Sequence, residues 1–433
     1  MKTHWNQSSR TSSRPRLHSL AGVRIIAALH IYFFHLKQAN DAGVLTFPLL
    51  GSLGAPAANL LGRGYVSTGF FFQLSGFLLA YAYLDASGRL KTTPREFWKG
   101  RLLRLYPLYA ISLLLLIPAP ALLPFTAKHP SALETLAGMA TSLTLTQAWF
   151  PSLALWWNAP AWALSAFAAF YVATPLFAQV TSGLDRRGLV VVLMLLVALS
   201  WLPAGLYLLI DPYGDARSVT SITLGGPWLN ALRFDPLTWL PQFLSGLVLG
   251  RLFTLRADTG EAPTRPTGRL APSLGDAVAL AIVGYLSLAP SVSYVALRHG
   301  LLAPMLLVVI ADLASGRGLL ARILARPAFG RLSEASFSLF ALQMPAGVWF
   351  CIAFLSSSRG TTAQLLGMIA WTLGVSVAWA ELIQRPFIDR LRRREQAARA
   401  LGLVPQVLTA SSGTSPASRV SEAETSRVAG DPV

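Results

Sequence analysis

The chain has 433 residues, of which 53% are hydrophobic and only 13% charged, and its mean hydropathy is +0.51. A soluble domain carries roughly 25% charged residues, so this composition excludes a disordered chain, argues against a water-soluble enzyme and fits a polytopic membrane protein. A net charge of +17 would suggest nucleic acid in a soluble protein, but the arginines here are split among loops between apolar runs, and no nucleic-acid partner is expected.

Residues 1–16 are polar and basic and form the expected cytoplasmic N-terminal segment. The apolar run that begins at Leu17 carries Arg24 and has no small-residue cleavage site, which predicts a retained first span rather than a signal peptide. A helix crossing the hydrocarbon needs about 20 residues. The candidate runs are Leu17–Leu36, Gly64–Leu84, Leu102–Leu123, Pro160–Val180, Leu189–Ile210, Leu237–Leu249, Leu274–Pro290, Leu301–Ala314, Ala335–Leu355 and Ala363–Ile383. They predict an all-α fold, a polytopic integral membrane helical bundle of about ten transmembrane helices, within a membrane domain over 17–395.

The stretch Leu133–Phe150 is less apolar, because it holds Thr141, Ser142, Thr144, Thr146 and Gln147. If it does not cross and the N-terminus is cytoplasmic, most Lys and Arg fall on the inner side, Arg186 and Arg187 among them. If it crosses as an eleventh span, those two move outside. The positive-inside rule therefore predicts a re-entrant or surface helix, with both termini in the cytoplasm. Arg233, Arg298 and Arg359 then fall in outer loops. Trp149, Trp156, Trp157 and Trp162 read as an outer aromatic belt, with a sugar-binding mouth as the alternative. The stretch 396–433, rich in Ser, Ala, Thr and Gly, predicts a disordered cytoplasmic tail. Cys351 is the single cysteine, which excludes an intrachain disulfide and a thiolate metal cluster. His18, His129 and His299 have no metal-ligand spacing, and no metal site is expected.

An ionisable group inside a membrane is expensive and is a functional hypothesis by default. Arg24 and His35 lie eleven residues apart, which on a helix is three full turns plus about 20° and an axial separation of about 16 Å. They share one face, with Arg24 in the inner half and His35 near the outer end, whereas His30 lies about 120° away. Arg24 could hold a phosphate or carbonyl of a donor entering from the cytoplasm, and His35 could act as general base on an acceptor hydroxyl. The competing reading is that Arg24 snorkels or pairs for structure and that His35 is interfacial. Arg101 and Arg104 are spaced i,i+3 at the cytoplasmic mouth and could grip donor phosphates, or simply anchor the helix. Gly69 and Gly76 share a face that permits close helix approach.

These pieces together resemble the acyltransferase 3 family of bacterial integral-membrane O-acyltransferases. Arg24-x10-His35 matches the family's first-helix motif. Gly69 through Phe77 looks like its "FFxLSGF" element, and Arg101-Leu102-Leu103-Arg104-Leu105-Tyr106-Pro107 like its Arg-x-x-Arg-x-Tyr-Pro element. Trp162-Ala163-Leu164-Ser165 with Phe170-Tyr171 and Pro175 resembles "WxLS…FY…P", and Ser336 through Phe340 resembles "SYSLY". The resemblance implies His35 as the catalytic histidine and Arg24, Arg101 and Arg104 as donor-binding residues. It adds Ser75, Trp162, Ser165, Gln343 and Glu381 as supporting candidates. It also implies acyl-CoA, in the usual case acetyl-CoA, as co-substrate with no bound cofactor. The acceptor would be a hydroxyl-bearing carbohydrate or metabolite, and the location a bacterial cytoplasmic membrane.

The chain departs from the family pattern at four places. Phe167 stands where many relatives have glutamate, Gln343 where many have histidine, Gln384 where the last helix often ends in glutamate, and Gln242 where an arginine is common. Each change removes an ionisable side chain, so a non-catalytic relative is one alternative. A transporter or flippase of the same architecture, using Arg24 as a substrate ligand, is the other. Glu381 could pair with Arg24 if the first and last spans pack together.

Overall fold

The computed structural model describes residues 17–117, 131–214, 226–258, 272–290, 293–390 and 393. The expected N-terminal segment, the tail and the last residues of the run Leu102–Leu123 lie outside the described residues. The chain divides into two units, Met1–Asp389 and Arg390–Val433, and the helices below make up the first. Among the described residues the secondary structure is helical apart from two isolated β-bridges, Thr46–Arg359 and Leu84–Leu90.

The helices in chain order are α1 (His18–Asp41), α2 (Pro48–Gly51), α3 (Ala55–Gly62), α4 (Val66–Tyr83), α5 (Pro94–Leu114), α6 (Ala132–Leu143), α7 (Trp162–Thr181) and α8 (Arg186–Ile210). They continue with α9 (Pro227–Phe234), α10 (Pro236–Asp258), α11 (Leu274–Leu288), α12 (Tyr294–Arg298), α13 (Ala303–Ser315), α14 (Gly318–Leu324), α15 (Pro327–Phe354) and α16 (Thr362–Trp379), which ends in a π-helical turn, Ala380–Gln384. Each of the ten apolar runs overlaps one of these helices, residues 118–123 of the third lying outside the described residues. Among the described residues six segments, fewer than the ten expected, are long and apolar enough to cross a membrane: α1, α7 with its preceding turn, α8, α12 with α13, α15, and α16 with its helical continuation to Arg390.

Local chemistry sets the helix starts. Thr93 with Glu96, Ser131 with Glu134, Ser273 with Asp276 and Thr361 with Gln364 form reciprocal capping boxes on α5, α6, α11 and α16. The Ser131 bonds hold the exposed Glu134 carboxyl below the usual carboxylate range. Leu195, Leu202, Leu209 and Ile210 of α8 and Leu366 and Trp371 of α16 face outward. A continuous apolar exterior of this kind suits lipid rather than water.

The segment Leu133–Phe150 does not form one spanning helix. Its helix α6 stops at Leu143, and twelve residues reach only about 18 Å, short of the roughly 30 Å of hydrocarbon. Leu145 takes a left-handed conformation (φ 56°), and a 3₁₀ turn at Gln147–Trp149 comes next. Leu133, Leu136 and Met139 point outward. The inner edge is tied to the bundle by Tyr109 Oη–H donating to the Ser142 carbonyl (2.6 Å) and Ser165 Oγ–H to the Leu145 carbonyl (2.7 Å). The aromatic belt needs correction: Trp149 is exposed, but Trp157 and Trp162 are buried.

At the centre α4 packs against α10 through small residues. A Cβ on Gly76 would meet the Phe243 carbonyl at 2.1 Å, one on Gly246 the Gln73 carbonyl at 1.9 Å, and one on Gly250 the Phe77 carbonyl at 2.5 Å. The obstacles are backbone atoms, so no rotamer change can relieve them. Gly246→Ala is expected to cost about 1–3 kcal/mol, read as a lowered thermal midpoint of the detergent-solubilised protein; an unchanged midpoint would mean the seam can open. Gly51, with nothing near it, serves as the control.

Two arginines beside the apolar runs have structural roles. Arg251 lies inside α10, which runs past the predicted end of that span, and only 2% of it is exposed. Its guanidinium donates to the carbonyls of Ser87 (3.1 Å), Leu184 (3.0 Å) and Thr181, tying together the segments that follow the C-terminal ends of α4 and α7. Arg63 donates to Leu286 and Ala289 carbonyls (both 2.8 Å) and caps the C-terminus of α11.

Candidate functional site

Arg24 and His35 stand on one stripe of α1, and the residues between them on that stripe, Ala28 and Ile31, are buried. At one end of the stripe Arg24 is half-buried. Arg104 of α5 and the neutral Tyr171 phenol of α7 lie within electrostatic reach of it, with no carboxylate among the groups that act on it. The Tyr171 phenol in turn feels Arg24, Arg101 and Arg104. Arg101 donates to the Tyr83 phenol oxygen, and its guanidinium lies 4.6 Å from that ring's centroid. Trp98 Nε1–H ties α5 to the Tyr171 carbonyl at 2.9 Å. Three arginines from two helices therefore gather around one phenol, an arrangement suited to the phosphates of a nucleotide-bearing ligand.

At the other end of the stripe His35 Nδ1 lies 2.9 Å from Gln343 Oε1 on α15. Gln343 Nε2–H donates to the Phe340 carbonyl at 2.9 Å, which turns the amide oxygen toward the imidazole. An amide oxygen only accepts, so His35 carries its proton on Nδ1 and presents Nε2 as the basic nitrogen. Among the described residues nothing hydrogen-bonds that Nε2. His30 differs in this respect. Its Nε2–H donates to the Leu60 carbonyl and its Nδ1 accepts from the Ser67 hydroxyl, both at 2.8 Å, so both nitrogens are spent on packing α1 against α3 and α4.

Gln343 thus does for His35 what an orienting partner does in a nucleophile–base pair, without a charge. Gln343→Leu is expected to lower His35-dependent turnover by about 10-fold or more and Gln343→His to keep most of it, measured as limiting rate per amount of protein. Equal rates in both variants and the parent would remove Gln343 from this role.

The supporting candidates separate. Ser165 is fully buried; it accepts from the Ala148 amide (3.3 Å) and donates to Leu145, so it fastens the α6 segment. Trp162 packs edge-on to Phe72 and Phe234. Ser75 is half-buried on α4. Glu381 does not meet Arg24: it pairs with Arg385 at 2.8 Å, and Glu334 also reaches Arg385 at 3.7 Å. Phe167 sits in an aromatic stack with Phe72 (5.1 Å), Phe170 (5.9 Å) and Tyr171 (6.0 Å), where a carboxylate would be out of place. Gln242 is buried with its Oε1 directly over Gly69.

The sequence reading missed one feature. Arg233, Arg298 and His299, all buried, cluster with Tyr65, Trp162, Phe234, Trp239 and Tyr294 on the His35 side of the bundle. The helical spacing of Tyr294 and Arg298, i and i+4, was the available signal. Among the described residues no three His, Cys, Asp or Glu side chains converge as metal ligands would.

The chain is 28% identical over 246 residues to Acyltransferase MdmB of Streptomyces mycarofaciens, covering 54% of this chain and 57% of that protein. It is 36% identical over 97 residues to Protein 2 in picA locus of Rhizobium radiobacter, covering 22% of this chain and 42% of that protein. The chain thus matches about half the length of these curated relatives, and no solved structure matches it. The acyltransferase 3 profile, described as an acyltransferase domain, covers residues 17–381. Since that match runs from the first described residue into the closing π-helical turn and takes in both ends of the α1 stripe, the chain belongs to the acyltransferase 3 family.

Proposed function

We propose that the protein is an integral-membrane O-acyltransferase. It moves an acyl group, in this reading acetyl from acetyl-CoA, to a hydroxyl of a cell-surface carbohydrate, a lipid-linked sugar or a secondary metabolite. The observation that carries the reading is the pairing on α1 of an arginine cluster at one end with a histidine whose Nε2 is left basic at the other. Arg24, Arg101 and Arg104 hold the donor phosphates at the inner mouth, and the pantetheine arm runs past Ala28 and Ile31 toward His35. Hydrocarbon excludes the charged nucleotide, so only the slender arm need enter.

The acceptor oxygen attacks the thioester carbonyl carbon, and His35 Nε2 takes the hydroxyl proton. A C–O bond forms, negative charge gathers on the carbonyl oxygen, and collapse breaks the C–S bond. The departing CoA thiolate takes the proton back from His35. Acyl-CoA is a co-substrate, not a resident group.

The same reading puts ten spans in a bacterial cytoplasmic membrane with both termini inside. It leaves α6 on the outer surface and the arginines of the α4–α5 and α7–α8 connections facing the cytoplasm. Gln343 speaks against a non-catalytic relative, since it still holds His35 in the tautomer a base needs.

The test is incubation of membranes from the organism that carries the gene with radiolabelled acetyl-CoA, beside a strain carrying His35→Ala. Label should enter a lipid, polysaccharide or metabolite fraction only in the parent. Identical label in both strains would sink the reading.

A further inference from the structure

Among the described residues, the densest buried charge outside the α1 stripe is the arginine pair Arg233 and Arg298, with His299 beside it. Arg298 is 7% exposed and its guanidinium is ringed at 5.4–5.9 Å by Tyr65, Trp162, Phe234, Trp239 and Tyr294, drawn from the entries or ends of α4, α7, α9, α10 and α12. Its Nη2–H donates to the Arg233 carbonyl at 3.2 Å, and that same carbonyl accepts Trp239 Nε1–H at 2.8 Å. Arg233 lies 5.1 Å from the opposite partner ring, Tyr294. The groups that act on Arg298 are Tyr294, Tyr65 and Arg233, with no carboxylate among them.

A buried cation without a counter-ion is costly unless polar and aromatic groups replace its hydration. Five ring faces and a backbone carbonyl do that here, and they do it without cancelling the charge, as a carboxylate would. The cage keeps a cation in low dielectric with its field intact. That field reaches the reaction site. The Tyr65 ring, 4.9 Å from Tyr294, lies 5.6 Å from Phe34, whose ring lies 5.2 Å from His35. Arg298 lies within electrostatic reach of His35; since two cations repel, it favours the step only through the negative charge on the acyl oxygen, which must lie nearer to it than the imidazolium does.

We propose that Arg298 is an electrostatic positioning residue of the transfer reaction: caged and charged beside His35, it stabilises the negative charge that gathers on the acyl carbonyl oxygen. This rests on the acyl-transfer reading above. The residue is enclosed by rings and acts through its field, not by touching substrate. Transition-state charge in a water-poor site is the quantity such a preorganised cation lowers in energy. Arg233 adds a second, more distant charge of the same sign.

The test uses the same membranes and labelled acetyl-CoA, titrating the donor in strains carrying Arg298→Gln and Arg298→Lys. The expected result for Arg298→Gln is a limiting rate lower by about 10-fold or more with an unchanged half-saturating acetyl-CoA concentration, and for Arg298→Lys recovery of most of that rate. Three results would overturn the proposal: an unchanged rate in Arg298→Gln, equal losses in both variants, which would make the cage a packing feature, or a change confined to half-saturation, which would place Arg298 on the donor. If Arg298→Gln does not accumulate in membranes, Arg233→Gln replaces it, with a drop in limiting rate of about threefold expected and an unchanged rate counting against the proposal. Loss of His35-dependent label in the parent itself would bring down the acyl-transfer reading and this inference with it. Label in the parent with no effect at Arg298 would bring down the inference alone.

Discussion

His35→Ala should lower acyl transfer by about 100- to 10,000-fold, the range removed with a general base. The expectation rests on a single nitrogen. Gln343 holds the proton on Nδ1, and Nε2 is left without a partner among the described residues. Alanine also strands the Gln343 oxygen, so His35→Asn is the sharper variant: its side-chain amide can still donate to Gln343, yet it offers no basic nitrogen. Both variants should accumulate in membranes and still bind acetyl-CoA, while transfer is lost. Retained transfer in His35→Asn would mean that the basic nitrogen is not used. His30→Ala supplies the contrast. Since both its nitrogens are consumed by Leu60 and Ser67, its loss should lower thermal stability and leave turnover per folded molecule near that of the parent.

Arg24→Ala should raise the half-saturating acetyl-CoA concentration by about 30-fold, what one charge-assisted contact of roughly 2 kcal/mol is worth. Arg104→Ala should act in the same direction. The two residues face the same phenol from different helices, so they are expected to share one ligand. The double variant should then fall short of the product of the single effects. Arg24→Lys should recover only part of the loss, because a point charge cannot reproduce the two-pronged geometry a guanidinium offers to phosphate. A lowered limiting rate with unchanged half-saturation would move Arg24 from donor binding to the chemistry itself.

The apolar runs were legible because lipid demands long uninterrupted hydrophobic helices, and each run overlaps a helix. The Thr- and Ser-rich stretch after Leu133 was left ambiguous by its polarity and read as non-crossing from the placement of Arg186 and Arg187; its helix stops at Leu143. The Arg24–His35 stripe came from helical geometry alone. What sequence could not give were contacts across hundreds of residues. Gln343 reads as a lost histidine, yet in place it orients His35 from 308 positions away. Phe167 reads as a lost glutamate and is part of an aromatic stack. Arg298 was assigned to a loop because the positive-inside rule counts charges by position along the chain, and neither its ring cage nor the carbonyl cage around Arg251 leaves a mark there. Glu381 failed differently. A residue four positions on, Arg385, was the nearer cation, and i,i+4 proximity outweighs a packing guess between the first and last spans.

The glycine seam between α4 and α10 has a mechanical consequence. Where a missing methyl is all that separates a helix from its neighbour's carbonyl oxygens at Gly76, Gly246 and Gly250, sliding or rolling one helix on the other drives backbone into backbone. The pair behaves as one stiff beam through the middle of the bundle. A carrier that works by rocking needs a line along which its halves part, and that line cannot run between these two helices. Any opening must fall to the sides of the beam, where α1, α7, α8, α12 and α13 pack against it. Among them are α1 and α12, which carry His35 and Arg298, so motion at this protein's centre would spare the scaffold and shift those two side chains.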